Sequence, residues 1–328
     1  MEFHHSQSSP YYVNNILTIQ SHTPPSPVPK HELFRRGSFV GRDQSLSPTE
    51  LCLQTPPLPG SDGSNFIAIK LVKEMQVGYF KRSQIFVVRC MDCPVASCIP
   101  TDQDLVAKIY DPFYHEFDGD PFFAVDYDYT HECAAYMHLS ELQGAVIPKF
   151  FGSYTLKIRI GEQFRLVRLI LIERVDGLSM NGLNPETFPR EERQEIMKQI
   201  IDGESSLYTK DVRHEDLRPQ NVVIERNHSG RLRIIIIDLG KSIIGRSRNP
   251  SDSRDENRYF PGVAISPLLR WNVHYRQHTY FHDWIDWSWQ PWLEVQYKDT
   301  EDTITNEQRE RWKIYDWMLQ APPPPPSS

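Results

Sequence analysis

His214-Glu215-Asp216-Leu217-Arg218-Pro219-Gln220-Asn221, then the apolar run Ile234-Ile235-Ile236-Ile237, then Asp238-Leu239-Gly240, is the stretch from which the fold is read. Residues 190–208 before it have helical spacing, with Pro189 at the start and Ile196, Ile200 and Leu207 on one side. Residues 221–225 and 231–237 are rich in β-formers, and Asn227-His228-Ser229-Gly230 between them carries turn chemistry, which predicts a hairpin. Asp216 and Asn221 then lie on one loop at the hairpin's mouth. Asp238 sits just past the return strand, so the hairpin brings its carboxylate back beside that loop. Gly240 predicts a sharp backbone turn immediately afterwards. Two carboxylates and one amide oxygen at one spot suit Mg²⁺, which takes hard oxygen ligands and completes its shell with water and phosphate. A carboxylate not used as a ligand can orient a hydroxyl and accept its proton.

Working outward, residues 67–72, 85–89 and 104–110 read as strands, the third carrying Lys108 among apolar neighbours. Residues 127–142 have helical spacing through Cys133, Tyr136, Leu139 and Leu142, and Gly144 supplies a stop. Residues 150–154 and 164–173 are two further strands. The expected fold class is α+β. A strand-rich part with one helix spans 65–174, and a mainly helical part spans 175–320. Residues 1–64 are rich in Ser, Pro, His and Gly and are expected to be a disordered arm, with Ser-Pro pairs at Ser26 and Ser47 as candidate phosphorylation sites. Residues 321–328 are expected to form a Pro-rich tail. The tryptophans at 284, 287, 289 and 292 have the spacing of a packed terminal helix.

The bulk properties exclude several classes. A formal net charge of −7 provides no basic footprint for nucleic acid. No apolar run approaches the roughly 18 residues of a membrane span, and the start has no signal-peptide core. The expected setting is intracellular, cytoplasmic or nuclear. Five dispersed cysteines make a poor disulfide framework. Cys90, Cys93 and Cys98 lack the fourth ligand a structural zinc needs, so unpaired loop thiols are expected. The twelve histidines show no ligand spacing.

His214 to Asn221 resembles the catalytic loop of the protein kinase superfamily, H-R-D-L-x-x-x-N, and Asp238-Leu239-Gly240 looks like its D-F-G motif with Leu for Phe. The chain is similar to fungal-type kinase-like proteins, and the same loop shape occurs in aminoglycoside-phosphotransferase-like kinases. The resemblance covers residues 66–239. It implies a bilobal fold with an antiparallel N-lobe sheet and a shortened helical C-lobe. It also implies ATP and Mg²⁺ as ligands and a protein or small molecule as acceptor. Asp216 would be the catalytic base, Asn221 and Asp238 would hold Mg²⁺, and Arg218 would face the transferred phosphate. Val106-Ala107-Lys108-Ile109 is similar to the V-A-I-K motif shifted by one position, so Lys108 would bind the α- and β-phosphates. Glu132 is the expected partner of Lys108, ahead of Asp126, Asp128 and Glu141. Leu171 to Val175 would be the hinge, with the backbone of Glu173 and Val175 holding adenine.

Three departures accompany the resemblance. In Gln76-Val77-Gly78-Tyr79-Phe80-Lys81 only Gly78 remains of a glycine-rich phosphate loop, which predicts weaker nucleotide binding. Glu215 replaces the arginine that commonly pairs with a phosphorylated activation loop, so phosphorylation within 241–261 is not expected to switch activity on. About 90 residues follow Asp238, with no A-P-E motif. A pseudokinase, keeping the fold as an interaction module, is the alternative reading.

Overall fold

The computed structural model describes residues 9–29, 46–92, 99–115, 120–226, 230–245 and 260–313. The chain divides into two compact units. The first takes residues up to 144, then 148–174 and 239–241. The second takes 145–147, 175–238 and residues from 242 on.

The first unit is built on antiparallel strands β1 (Ile16–Thr23), β2 (Ser61–Gln76), β3 (Gln84–Asp92), β4 (Leu105–Tyr110), β5 (Phe150–Ile160) and β6 (Gln163–Glu173). Their order is β1-β2-β3-β4-β6-β5, and the sheet closes into a barrel because β1 pairs with both β2 and β5. Alternation drives the closure. Ile67, Ile69 and Leu71 of β2 and Leu105, Ala107 and Ile109 of β4 all point into one core. Strands β2 to β6 include the expected stretches, but β2 and β5 run well beyond the expected 67–72 and 150–154.

Strand β1 corrects the reading of 1–64 as a disordered arm. Leu17 and Ile19 are buried in the barrel core together with Tyr11. Composition averaged over the arm hides an alternation of only a few residues. Pairing on both sides satisfies the strand's amides and removes two open sheet edges. Residues 46–64 are also structured in part. Helix α1 (Pro48–Gln54) begins at a capping box in which Ser47 and Glu50 exchange hydrogen bonds, so the Ser47 hydroxyl caps a helix; Ser26 is exposed.

Helix α2 (Pro121–His138) covers the outer face of the sheet. It starts six residues before the expected 127, because Asp120 caps the amides of Phe122 and Phe123 and Pro121 occupies the first turn. It is buried almost all round, so no single apolar stripe marks its beginning. Behind the barrel, Arg165 grips Asp111 with two bonds of 2.6 and 2.8 Å, and the Tyr11 hydroxyl donates to the same carboxylate at 2.7 Å. The N-terminal segment thus helps to satisfy a buried ion pair.

The second unit places helix α3 (Arg190–Thr209) against a small sheet. The predicted hairpin is β9 (Val222–Arg226) and β10 (Leu232–Ile236), and β7 (Leu178–Ser179) adds to β9. Strand β8 (Val212–Arg213) pairs with β11 (Ile243–Ile244). Short helices α4 (Pro267–Arg270), α5 (Trp289–Tyr297) and α6 (Asn306–Trp312) follow. Trp284, Trp289 and Trp292 are buried, and the Trp289 indole donates to the Trp271 carbonyl at 2.9 Å, so the aromatic stretch packs a core; only Trp289 and Trp292 share helix α5, whereas Trp284 and the half-buried Trp287 precede it, contrary to the single helix expected.

Among the described residues no helix is long and apolar enough to cross a membrane. Cys52 and Cys133 are free and buried, whereas Cys90 is disulfide-bonded, contrary to the unpaired thiol expected of it. Cys93, Cys98 and the Pro-rich tail lie outside the described residues.

Two consequences are measurable. A chain starting at Pro24 lacks β1 and Tyr11, so the barrel opens and the urea midpoint falls well below that of the full chain; an unchanged midpoint would restore the arm reading. His22, bonded through Nδ1 to the Tyr129 hydroxyl at 2.7 Å, has its pKa pushed down to about 4 by burial and by Arg168, against the opposing pull of Asp62. Its folded pKa lies below the unfolded value of about 6.5, so its contribution is complete above pH 6.5 and is lost as pH falls towards 4. Stability measured across that window declines less steeply in His22→Gln than in the native chain.

Candidate active site

In the first unit the site begins with the alternation of β4. Leu105, Ala107 and Ile109 face the barrel core, so Val106, Lys108 and Tyr110 face outward, where α2 covers them. The Lys108 ammonium lies 2.5 Å from Oε2 of Glu132, and the Tyr110 hydroxyl donates to the same oxygen at 2.6 Å. Both side chains of the ion pair are buried, Glu132 almost completely. Burial, and then the charge of Glu132, hold the Tyr110 phenol protonated, well above its ordinary range. The expected Lys108–Glu132 pair is therefore present. Asp128 is taken by Arg82, with bonds of 2.6 and 2.7 Å, and Asp126 accepts the Leu58 amide. No sequence motif marks Tyr110, yet its position two residues after Lys108 on a strand puts it on the same face.

The turn Leu239–Lys241 also belongs to this first unit. A Cβ on Gly240 would stand 3.2 Å from Oε2 of Glu132 and 3.5 Å from the Asp128 backbone oxygen. A side chain at position 240 would therefore crowd the Glu132 carboxylate by a few tenths of an ångström. The sharp backbone conformation expected at Gly240 falls instead at Asp238, whose φ is +63°.

The second unit holds the loop of residues 214–221. His214 is fully enclosed, and burial lowers its pKa, opposed by its bond to Ile237 and by the charges of Asp238 and Asp216. As a neutral ring it donates through Nε2 to the Ile237 carbonyl at 2.9 Å and accepts the Asp216 amide at Nδ1 at 3.2 Å. One histidine thus ties the loop to the end of the hairpin. Asn221 donates through Nδ2 to the Asp216 carbonyl at 2.8 Å, and the Ile237 amide donates to the Asn221 carbonyl at 2.9 Å. Asp238 follows directly. Glu215 and Asp238 both adopt left-handed backbone conformations, at φ +62° and +63°. Such conformations in residues with side chains cost energy and collect at functional sites.

Charges around this loop are paired locally. Arg218 Nε lies 3.0 Å from Oδ1 of Asp216, and its guanidinium lies 4.9 Å from the centre of the Tyr280 ring. Glu215 forms an ion pair with Arg213. The arginine missing from the loop's second position is therefore present two residues earlier, engaged by the glutamate that replaced it. Among the described residues no group of three or more His, Cys, Asp or Glu side chains is placed to hold a metal. The donors for Mg²⁺ would be the Asn221 amide oxygen and the Asp238 carboxylate, with the Asn221 amide nitrogen already directed at Asp216. Two protein oxygens completed by phosphate and water fit Mg²⁺, which seldom takes an all-protein cage.

Backbone amides at two positions expected to meet nucleotide already have partners. The Gly78 amide donates to Oε1 of Gln84 at 2.7 Å, and the Gln84 side-chain nitrogen donates back to the Gly78 carbonyl at 3.0 Å. The Phe80 amide is likewise bonded to the Tyr114 carbonyl at 2.9 Å. This turn is fastened to its own unit instead of presenting bare amides to phosphate. The Glu173 amide donates to the Lys149 carbonyl at 2.8 Å, so any adenine contact at Glu173 falls to its carbonyl. Val175 opens the second unit. Gln84 carries no motif that would have revealed its role.

No protein-family model matches the chain. A stretch of 60 residues is 35% identical to a protein of Oryza sativa subsp. japonica named "Putative cyclin-dependent kinase F-2", covering 17% of this chain and 18% of that protein. The chain thus spans under a fifth of that relative's length, and the likeness to a kinase is partial. The α+β architecture, with its large antiparallel sheet and several helices, is compatible with a two-lobed kinase-like fold.

Glu132→Ala removes the acceptor shared by Lys108 and Tyr110 inside the protein. Breaking a buried pair in this way costs about 3–5 kcal/mol, to be read from urea denaturation. A loss below about 1 kcal/mol would mean that water reaches the pair and that it does not anchor α2.

Proposed function

We propose that this protein is an ATP- and Mg²⁺-dependent phosphotransferase of the protein-kinase-like type, moving the γ-phosphoryl group of ATP to a hydroxyl. The observation that carries the reading is the fastening of the Asp216 loop to the hairpin end. His214 bonds both Asp216 and Ile237, and Asn221 bonds Asp216 while receiving the Ile237 amide. Asp216 is the base or orienting carboxylate, and Asn221 and Asp238 are the Mg²⁺ donors. Lys108, held by Glu132, binds phosphate oxygens, and Arg218 faces the transferred group. The partial likeness to a kinase supports the same reading.

The alternative, a pseudokinase with weak or no catalysis, is favoured by the occupied amides of Gly78 and Phe80. The two readings separate in one assay. The full chain with Mg²⁺ and labelled ATP is expected to release or transfer phosphate. Asp216→Ala is expected to lose about 10²–10⁴-fold in rate, the usual share of a positioned acid or base. Asp238→Ala is expected to lose the Mg²⁺-supported turnover as well. A thermal shift with Mg-ATP and no turnover in the native chain would establish the pseudokinase. Equal turnover in the native chain and both variants would remove the phosphotransferase reading.

A further inference from the structure

The second unit contains a cavity of about 370 Å³ whose wall includes Asp216 and Arg218. That volume lies within the range of clefts that hold small molecules, about 300–1,000 Å³. We propose that this cavity is the acceptor site and that the acceptor is a neutral polyhydroxylated compound of about one sugar ring. The proposal rests on the phosphotransferase reading of Asp216.

Charge disfavours the other acceptor classes. The lining arginines pair with carboxylates of the same lining: Arg270 with Glu204, Arg213 with Glu215, and Arg218 with Asp216. An anionic acceptor would face three guanidinium groups already neutralised by their carboxylate partners, and a cationic acceptor would face the converse. Neither sign gains what a site built for it would supply. A guanidinium–carboxylate pair nevertheless presents N–H donors beside oxygen acceptors in one plane. Vicinal hydroxyls, each both donor and acceptor, match that pattern.

Much of the remaining wall is aromatic, beside His214, Leu217 and Gln277. Tyr280 is 48% exposed and lies over the Arg218 guanidinium. Tyr275 meets Trp312 edge-on, with ring centres 5.1 Å apart, and Trp271 also lines the wall. A sugar ring offers a face of C–H groups to such rings and keeps its hydroxyls at the edge. Tyr280 is then a positioning residue as well as a wall, because it holds Arg218 against Asp216. In the transfer step the acceptor oxygen bonds to the γ-phosphorus of a nucleoside triphosphate. The bond from that phosphorus to the bridging oxygen breaks, nucleoside diphosphate leaves, and the hydroxyl proton passes to Asp216.

The test uses the full chain with methyl α-glucopyranoside, ribose and myo-inositol as probes, and choline and glutamate as charged controls. Saturation-transfer NMR without nucleotide is expected to show contact with the ring C–H protons of at least one polyol and with neither control. Binding is expected to weaken at least tenfold in Tyr280→Ala and to persist in Tyr280→Phe, with circular dichroism verifying that both variants fold. Addition of Mg-ATP is expected to yield the phosphate ester of the bound polyol, followed by ³¹P NMR. Absence of polyol binding, binding indifferent to Tyr280→Ala, or preferential binding of choline or glutamate would overturn the proposal. Phosphate transfer to casein with no polyol bound would overturn it while leaving the phosphotransferase reading intact. Polyol binding without transfer to the bound polyol, while Asp216-dependent turnover of Mg-ATP persists, would overturn the acceptor assignment and leave the phosphotransferase reading intact.

Discussion

The first unit is organised around the Glu132 carboxylate, which is wholly removed from solvent. An ionised carboxylate in such a place costs several kcal/mol unless its charge and lone pairs are met. The ammonium of Lys108 and the hydroxyl of Tyr110 meet one oxygen from a single strand face. Strand β4 can provide both only because its other face is filled by the barrel core. The approach of Gly240 to within 3.2 Å, counted from an added Cβ, places a third chain segment against the same group. Strand β4, helix α2 and the turn at Gly240 thus all meet at this one buried charge.

In the second unit the corresponding constraint is neutral. His214 stays uncharged because burial outweighs the nearby Asp216 and Asp238. A neutral imidazole has one donor and one acceptor, and the loop uses both, joining residues 216 and 237. The left-handed conformations at Glu215 and Asp238 flank these bonds. Each such residue costs of order 1–3 kcal/mol and persists only where neighbouring contacts determine it fully. The histidine bonds and the Asn221 bonds are the contacts that do so here.

Much of this was legible in the chain. The strands β2 to β6, helix α3 and the hairpin follow from runs of β-forming and helically spaced apolar residues and from turn residues, and the Lys108–Glu132 pair was implied by the resemblance of residues 106–109 to the kinase V-A-I-K motif. What was not legible had physical causes. Strand β1 offers only Leu17 and Ile19 to the core and lies within Pro- and Ser-rich sequence, so its pairing is decided by distant strands. Helix α2 is buried on every side and so has no stripe to mark its start, although Asp120 and Pro121 form a readable cap. The role of Gln84 depends on its side chain folding back across a turn, which carries no spacing signal. Arg213 and Glu215 appear as isolated charges until β8 fixes their common side.

The fastened Gly78 turn is the strongest structural reason to doubt nucleotide binding, and its strength can be bounded. Gln84 contributes two neutral hydrogen bonds to Gly78, each worth about 0.5–1.5 kcal/mol net. Releasing both would therefore cost about 1–3 kcal/mol, or roughly a 5- to 150-fold reduction in affinity. A hydrogen bond from the freed Gly78 amide to a phosphate would be charge-assisted and roughly twice as strong as a neutral one, which offsets part of that cost. The Arg82–Asp128 pair need not break, because Gly78 lies four residues away and an added Cβ there would meet open space. On the proposed phosphotransferase reading, the turn would therefore weaken nucleotide binding without forbidding it, and more of the phosphate's charge would fall to Lys108 than beside a loop of bare amides.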